Sequence, residues 1–437
     1  MQKLILLELN ELNFELMEKY IALGFLPHFA EFFERHGYQK SISEDSYEQL
    51  EPWIQWVSAH SGMSFSEHRI FRLGDIVTSD IPQIWEELEE KGLSVGAVSP
   101  MNAANRLKHP DFFIPDPWTR TPASGSFLVK KISRALAQAV NDNAGKKISM
   151  KSAVFLLIGF AAFAKKSCIP GYFELFMKGI KQRWHRAIFL DRFLADVFMR
   201  LWRKKKPDFA TLFLNGAAHI QHHYLFNSRF YSGPNKNPVW YAAPGEDPVL
   251  NIYQAYDDIL GEFIELKDRP RLILATGLHQ EAYPRLAYYY RLKNHGAFLK
   301  RLRLDFKSVE PRLSRDFLVT FDSEASASKA GIRLKQITDI SGKKIFEIDN
   351  RGLDLFVTLT YPQEIGPGFQ ALDGGREILD FDKEVVFVAI KNAEHHGTGY
   401  FMDAEQKLDP QSPPFFIWDL KNKILDALVL NGARRSP

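Results

Sequence analysis

Three groups of histidines carry the strongest chemical signal in this sequence. They are the cluster His219, His222 and His223, the adjacent pair His395 and His396, and the single His279. On a helical turn, the first residue of the cluster shares a face with the other two, at i+3 and i+4 spacing. Imidazole is the commonest protein ligand for zinc and many transition metals. The grouping predicts metal-binding side chains, and the alternative is a set of hydrogen-bonded polar histidines.

Carboxylates stand near the same predicted site. Glu51 precedes Pro52, a residue that suits the first turn of a helix. Glu51 is therefore expected at the helix N-cap, beside exposed N–H groups and the positive end of the helix dipole. It is predicted to be catalytic, as a metal ligand or general base, and the alternative is a simple cap. Glu8 and Glu11 are secondary metal-ligand candidates at the end of an apolar strand.

Polar residues follow the ends of four predicted strands, and this predicts where the functional site lies. The strands are Leu4–Leu9, Phe209–Leu214, Arg271–Ala275 and Glu384–Ile390. In open α/β sheets, ligands collect beyond the carboxyl ends of the strands. We therefore expect imidazoles from distant segments to meet around one cation.

The pattern between these strands is that of a doubly wound α/β sheet. Helical patterns alternate with short apolar strands, and glycines or prolines separate them. The predicted helices are Phe14–Ala22, Phe29–His36, Pro82–Lys91 and Leu250–Leu266, and a further strand is predicted at Ser94–Val98.

Two stretches depart from this alternation and are predicted to be insertions. Residues 126–204 are helical, basic and aromatic, which indicates a helical cap. Residues 301–374 contain alternating apolar patterns, which indicate a small β-rich insertion. The predicted α/β core then comprises residues 1–125, 205–300 and 375–437.

Composition narrows the class of protein. The chain has 437 residues, 45% hydrophobic and 25% charged, with a formal net charge of +3. An ordinary globular mix with so small a charge does not favour nucleic acid as a partner. Cys168 is the only cysteine, so an internal disulfide and a cysteine-based zinc cluster are excluded. Any metal must be held by His, Asp, Glu or Asn.

The location of the protein is predicted from its apolar segments. The start, Met1–Glu8, has the pattern of a strand and not of a secretory signal. The longest apolar stretch, Ala153–Ala164, is shorter than the roughly 20 residues that a membrane-spanning helix needs. We expect a cytoplasmic protein. Peripheral contact of residues 126–204 with anionic lipid or a lipid-linked substrate is left open, beside the commoner alternative of a cap whose apolar face packs on the core.

The order of five motifs resembles that of a known superfamily. The motifs are Leu6–Glu11, Pro52–Gly62 with Ser66-Glu67-His68, Ala218–His222, Gly277–Gln280, and His395 with Gly399-Tyr400-Phe401. This order is similar to that of the alkaline phosphatase superfamily, nearest its type I phosphodiesterase and nucleotide pyrophosphatase branch. The similarity covers the core and neither insertion, and it implies an alkaline-phosphatase-like fold with a divalent-metal site.

The resemblance also shows where this chain departs from the superfamily. Asn10, Ala218 and Leu278 occupy positions at which the superfamily has metal-binding aspartates, and no hydroxyl nucleophile stands at Glu51-Pro52. The histidines of the pattern remain, at His222, His279 and His395. We expect a rebuilt site, with Asn10 at the first ligand position. The neighbouring glutamates and the extra imidazoles at positions 219, 223 and 396 would replace the lost carboxylates.

Three functions are compatible with these features. The first is a metal-dependent hydrolase or transferase acting on a phosphate ester, predicted to be a diester, on a small-molecule or lipid-linked substrate. The second is a metal-dependent enzyme of altered chemistry, such as a lyase or another group transfer. The third is a non-catalytic binding relative, which the clustered histidines disfavour. Zinc is the favoured metal, with manganese or iron as alternatives. The sequence does not specify the substrate or the oligomeric state.

Overall fold

A computed structural model describes residues 2–141, 149–312 and 315–433 of the chain. Its strands are β1 (Leu4–Leu9), β2 (Gln39–Ile42), β3 (Val95–Val98), β4 (Phe112–Ile114), β5 (Phe209–Leu214), β6 (Arg271–Ala275), β7 (His279–Leu292), β8 (Ser308–Pro311), β9 (Asp316–Thr320), β10 (Ile337–Asp339), β11 (Phe346–Arg351), β12 (Asp354–Leu359), β13 (Ala371–Asp373), β14 (Arg376–Ile378), β15 (Val385–His396), β16 (Thr398–Asp403) and β17 (Phe415–Phe416).

Helices lie between most of these strands. They are α1 (Phe14–Ala22), α2 (Pro27–His36), α3 (Pro52–Ser61), α4 (Phe65–His68), α5 (Ile84–Glu90), α6 (Phe127–Asn141), α7 (Met150–Phe163), α8 (Ile169–Lys181), α9 (Trp184–Lys205), α10 (Gly216–Tyr224), α11 (Pro248–Ile264), α12 (His295–Arg301), α13 (Glu324–Lys335), α14 (Phe381–Glu384) and α15 (Leu420–Ala433). The mixture of helices and a large sheet confirms the predicted α/β class.

The central sheet has eight strands in the order β17-β2-β16-β6-β1-β5-β3-β4. Its middle is parallel, because β1 pairs in parallel with both β5 and β6. Strand β16 runs antiparallel to its two neighbours. Every residue of β1 and β5 is buried, as is typical of parallel strands covered on both faces. The predicted doubly wound sheet is confirmed.

The chain divides into two compact units. The larger contains the described residues within Met1–Ser232, Ala242–Ala282 and Ala393–Pro437, and it holds the eight-stranded sheet. The smaller contains those within Gly233–Tyr241 and Tyr283–Asn392, and its core is built around the sheet β11-β12-β9-β8. The division predicted from the sequence, into a core, a cap at 126–204 and a β-rich insertion at 301–374, stays a prediction.

One part of the predicted sheet was wrong. The sequence pattern predicts a core strand at Glu384–Ile390 that ends before His395 and His396. The structure instead has the longer strand β15, which includes both histidines and pairs with β7 in a separate two-stranded sheet. The strand that joins the central sheet is β16, which lies between β2 and β6. Residues 385–396 have mixed polarity, which is compatible with a two-stranded ribbon because neither face of such a ribbon has to be fully buried.

The helices α6 to α9 form the segment that was predicted to be a cap. The longest of them, α9, has a buried face that packs against β5 and α10. Among the described residues, no single helix has both the length and the apolar content needed to cross a bilayer. One pair of helices in the described part of the chain, α7 with Lys166–Lys181, meets the two criteria together, and it is bent by 113°.

Candidate functional site

Three strand ends meet at one edge of the sheet, because their strands are parallel. The amide of Asn10, just after β1, donates to the carbonyl of Leu214 in β5 at 3.0 Å. The amide of Glu11 donates to the carbonyl of Thr276, just after β6, also at 3.0 Å. These two bonds hold residues 10 and 11 at the carboxyl edge, where ligands collect in open α/β sheets.

Glu11 has a strained backbone at this edge. Its φ is 58°, in the left-handed region that side chains other than glycine rarely occupy. The side-chain amide of Gln221 donates to the carbonyl of Glu11 at 2.8 Å and fixes this conformation. A left-handed residue that bears a side chain costs about 1–3 kcal/mol, so the surrounding structure must hold it in that conformation. The strained backbone indicates the carboxylate of Glu11 as a candidate functional group.

The carboxylate of Glu11 lies against two imidazoles from distant parts of the chain. Its Oε2 is 3.4 Å from Nε2 of His222, on α10, and 3.4 Å from Nε2 of His395, on β15. The two nitrogens are themselves 3.0 Å apart. Three candidate ligand atoms therefore form a compact triangle.

The outer nitrogens of both rings face groups that orient them. Nδ1 of His222 is 3.3 Å from the carbonyl of Ala393. A carbonyl only accepts hydrogen bonds, so this contact assigns the proton to Nδ1 and leaves a lone pair on Nε2. Nδ1 of His395 is 3.7 Å from Oε2 of Glu51, an electrostatic contact that is too long for a hydrogen bond. The lone pair of His222 is then directed at the triangle, as in metal sites with oriented imidazoles.

The carboxylate itself is held by two amides and is ionised. The side chain of Asn10 donates to Oε1 of Glu11 at 3.0 Å, and the side chain of Gln280 donates to Oε2. Burial alone raises the carboxyl pKa, but the positive charges of protonated His395 and His222, together with hydrogen bonds from His222 and Gln280, outweigh it and lower the pKa of Glu11 to about 2; a bound cation would supply the same positive charge. A buried, permanently negative oxygen therefore faces the two imidazoles.

Asn10 supports this carboxylate and is not positioned as a ligand. Its Oδ1 accepts a hydrogen bond from the indole N–H of Trp56 at 2.7 Å. Its Nδ2 donates to Glu11 and, at 2.8 Å, to Oδ1 of Asn215. Both polar atoms of the buried Asn10 side chain are thus engaged, so the residue predicted as the first ligand acts instead by orienting Glu11.

The triangle of Glu11, His222 and His395 fits a divalent cation. Bonds of about 2.0–2.2 Å to nitrogen and oxygen separate neighbouring ligand atoms by roughly 2.9–3.6 Å. The observed separations of 3.0 and 3.4 Å lie in that range. Two imidazoles with one carboxylate are a common ligand set for zinc and for iron(II), with further positions left for water or substrate. In the absence of a cation, the two Nε2 atoms would have to share a proton.

A second group of two histidines and one glutamate is formed by residues on β7 and β15. It consists of His279, Glu281 and His396. Oε1 of Glu281 is 3.6 Å from Nε2 of His279 and 3.9 Å from Nε2 of His396. The side chains of Glu281 and His396 are 59% and 47% exposed, so this group is much more open to water than the first.

The second group fits a cation less well. Nδ1 of His279 donates to the carbonyl of Thr398 at 2.7 Å, which leaves its Nε2 ready to bind. The amide of Thr398, however, donates to Nδ1 of His396 at 3.3 Å. That contact assigns the proton of His396 to Nε2, the atom that faces Glu281, so a metal bond there would require the ring to change tautomer.

The alternation of side chains along β7 and β15 explains the two groups. Gln280 and His395 contact Glu11, whereas their neighbours at positions 279, 281 and 396 belong to the second group. Successive side chains of a strand point to opposite faces. The expectation that His279 and either His395 or His396 meet the imidazoles of α10 around one cation therefore needs correction, because His395 joins His222 whereas His279 joins His396 in the second group.

Other predicted site residues lie outside both groups. His219 is exposed, and its ring packs against that of His223 with centroids 4.9 Å apart. Among the described residues, His222 is the α10 histidine that groups with the carboxylate of Glu11. Glu8 is buried inside the sheet, where its Oε1 is 3.2 Å from Nε2 of His60. Glu51 stands at the N-cap of α3 as predicted, without a capping hydrogen bond from its own side chain.

Sequence reasoning missed the side chains that orient the ligands. Gln280, Asn215 and Trp56 bind the carboxylate of Glu11 or its neighbour Asn10. The exposed Glu281 of the second group was missed as well. One signal was available, because Gln280 follows His279 directly and strand alternation sends it to the face opposite to the histidine.

No protein-family description and no curated protein matches this chain. Solved structures do match over nearly the full length. One is phosphonoacetate hydrolase from Sinorhizobium meliloti 1021 in complex with phosphonoformate, with 13% identity, coverage of 98% of this chain and 96% of the other, and a TM-score of 0.43.

Two further matches are murine and human ectonucleotide pyrophosphatase / phosphodiesterase 5. Their identities are 10% and 12%, their TM-scores are 0.40 and 0.41, and each alignment covers 98% of this chain and 95% of the other.

Proposed function

We propose that this protein is a metal-dependent hydrolase or transferase acting on a phosphate ester. The side chains of Glu11, His222 and His395 would hold one divalent cation. The mutual distances of 3.0–3.4 Å between Oε2 of Glu11 and Nε2 of the two histidines are the observation that carries the proposal. Zinc suits two imidazoles and a carboxylate best, and manganese and iron accept the same donors.

The chain supplies the charge and orientation that such a site needs. Glu11 contributes one fixed negative charge, because its pKa is lowered to about 2. The amides of Asn10 and Gln280 hold the carboxylate, and the carbonyl of Ala393 holds the ring of His222. A divalent cation in this site would polarise an ester oxygen of the substrate as a Lewis acid.

Glu51 is the proposed proton acceptor. It stands at the start of α3, where the positive end of the helix dipole favours negative charge, and it lies 3.7 Å from Nδ1 of His395. Neither Glu51 nor Pro52 carries a hydroxyl, so no side-chain nucleophile stands at the start of this helix. We therefore propose water as the nucleophile, with Glu51 as the group that takes its proton.

The substrate is proposed to be a phosphodiester of a small molecule or of a lipid-linked group. With a divalent cation, one carboxylate and two neutral imidazoles, the triangle would carry a net charge of about +1. A diester carries one negative charge fewer than a monoester dianion. That net charge would balance the single negative charge of a diester. A monoester dianion would require more positive charge than this triangle offers.

Substrate assays test the proposal. Purified protein loaded with zinc or manganese would be assayed with aryl phosphodiesters, aryl phosphomonoesters and aryl sulfates, before and after chelation. We expect turnover of the diester above that of the other two esters, loss on chelation and recovery on adding metal. Stoichiometric metal without turnover of any ester would exclude ester hydrolysis and leave a metal-dependent enzyme of altered chemistry. Absence of bound metal would leave the non-catalytic alternative.

A further inference from the structure

Helices α7 and α8, residues 150–181, carry an unusual amount of exposed apolar surface. The described chain has 22 large apolar side chains that are exposed, and nine of them lie in these two helices. They are Met150, Val154, Leu157, Ile158, Ile169, Phe173, Phe176, Met177 and Ile180. Such concentrations on a folded protein mark surfaces that bind something.

The exposed residues form a stripe along each helix. In α8 they fall at positions 169, 173, 176, 177 and 180, and in α7 at 150, 154, 157 and 158. These are the i, i+3, i+4 and i+7 spacings of one helical face. Leu157, Phe173 and Phe176 are 71%, 66% and 63% exposed, so these stripes lack a partner within the part of the chain that the structure describes.

The opposite faces of the two helices are fixed to the rest of the unit. Asp196 of α9 accepts hydrogen bonds from the hydroxyl of Tyr172 at 2.8 Å and from the amide of Lys165 at 2.7 Å. Phe160 of α7 packs on Tyr172 and on Phe189 of α9. The pair is therefore docked by one side, which leaves the outer stripes exposed.

The charges around the stripes match an anionic surface. Residues 149–183 contain six basic side chains and one acidic side chain. The basic residues are Lys151, Lys165, Lys166, Lys178, Lys181 and Arg183, and the acidic one is Glu174. Glu174 is already paired with Lys178 at 2.6 Å. A second copy of this chain docking on the same face would bring like charges together, whereas anionic lipid headgroups would neutralise them.

We infer that the stripes of α7 and α8 dock on the surface of an anionic lipid bilayer. Apolar side chains enter the boundary between headgroups and acyl chains, while the flanking lysines contact the headgroups. Neither helix crosses the bilayer. The inference does not depend on the metal site, and it would place a catalytic unit against a membrane surface.

Vesicle flotation tests the inference, with the full chain and vesicles of phosphatidylcholine alone or mixed with phosphatidylserine. The wild type should float with the mixed vesicles, less with the neutral ones, and less as salt is raised. The triple variant L157Q/F173S/F176S should bind the mixed vesicles about ten-fold or more weakly, because three apolar side chains no longer enter the interface. The double variant K166Q/K181Q should weaken binding to the mixed vesicles only.

A matched control removes exposed apolar residues elsewhere. Ile332 and Ile340 are 59% and 69% exposed in the smaller unit, and I332S/I340S should float like the wild type. All variants change exposed side chains, so their thermal unfolding should match that of the wild type. Absence of wild-type flotation, or equal loss in the control, would overturn the inference. So would a concentration-dependent dimer in lipid-free solution that the triple variant abolishes, which would identify a second copy as the partner.

Discussion

Nε2 of His222 lies 3.0 Å from Nε2 of His395, and both face the buried carboxylate of Glu11. Two imidazole lone pairs at that separation repel unless a proton or a cation lies between them. The adjacent carboxylate makes either positive charge favourable. This relationship is the basis of the proposed metal centre, because a cation in the triangle would replace the proton that the two Nε2 atoms otherwise share, while the carbonyl of Ala393 keeps a proton on Nδ1 of His222.

Replacing the two histidines of α10 separately tests which of them binds the cation. His222→Ala removes one vertex of the triangle and should abolish stoichiometric metal, with diester turnover lowered at least about 100-fold. His219→Ala is the matched control, since His219 lies on the same helix and outside both groups. It should keep metal and turnover. Elemental analysis of dialysed protein gives the metal content. Equal loss in both variants would contradict the assignment.

Asn10→Asp tests the hydrogen-bond network that holds Glu11. The amide nitrogen now donates to Glu11 at 3.0 Å and to Asn215 at 2.8 Å, and a carboxylate oxygen in its place would face two acceptors. We expect a loss of about 1–3 kcal/mol in the free energy of unfolding of metal-free protein at neutral pH. The loss should shrink as the pH falls toward 4, because one of two close carboxylates then binds a proton.

Asn215→Asp is the matched control for that substitution. Its oxygen accepts the hydrogen bond from Asn10, so a carboxylate there keeps the bond. Chemical denaturation of both variants measures the difference. A cost at Asn215 as large as the cost at Asn10 would show that the network is not oriented as described.

His68 should make stability depend on pH. Its Nδ1 accepts the amide hydrogen of Ile70 at 2.9 Å, and its Nε2 lies 3.0 Å from Oγ of Ser58. Burial lowers the pKa of His68 from 6.5 to about 4, because the charged ring is disfavoured. The folded chain then binds fewer protons than the unfolded chain between these values. The stability contributed by neutral His68 is therefore complete above pH 6.5 and lost as the pH falls toward 4.

The variant His68→Asn isolates this effect. Asparagine can accept from Ile70 but does not titrate. The free energy of unfolding of the wild type, relative to the variant, should fall by about 3 kcal/mol between pH 6.5 and 4, because each pKa unit corresponds to about 1.36 kcal/mol. Denaturation at a series of pH values measures it. A wild-type advantage that stays constant across this range would refute the assignment.

Gly399→Ala should destabilise the edge of the sheet beside the second histidine group. A Cβ at position 399 would lie 2.4 Å from the carbonyl oxygen of Gly277 and 2.6 Å from Oγ of Ser41. The backbone would have to shift, at a cost of about 1–3 kcal/mol. Gly171→Ala in α8 is the control, because its Cβ would meet open space. It should be neutral or slightly stabilising in a thermal unfolding experiment, whereas equal effects would contradict the packing.

The sequence predicted the core elements well where one pattern dominates. The bounds of β1, α1, β5 and β6 agree with the predictions residue by residue, because continuous apolar runs and a clear helical period leave little choice. The prediction failed at β15, whose mixed polarity suits a ribbon and not a buried strand. The apolar run Ala153–Ala164 is evident in the sequence. Which of its side chains are exposed depends on which face of α7 packs against α9, and the sequence does not show that.

The site was predictable only in part. Clustered histidines indicated His222 and His395, but they did not show that His279 and His396 belong to a separate group. That separation depends on the pairing of β7 with β15 and on the face that each residue takes. The superfamily resemblance places Asn10, and not Glu11, at the first ligand position. The left-handed backbone at Glu11, with φ of 58°, makes Glu11 and not Asn10 the residue that faces the imidazoles. The residue types at these positions do not indicate this conformation.

The position of the bound metal tests the central claim most directly. Crystals of metal-replete protein would be measured at the absorption edge of zinc or manganese, and the anomalous peak located. The account predicts one strong peak within about 2.0–2.2 Å of Oε2 of Glu11 and of Nε2 of His222 and His395. A peak located only among His279, Glu281 and His396, or none in metal-replete crystals, would contradict it.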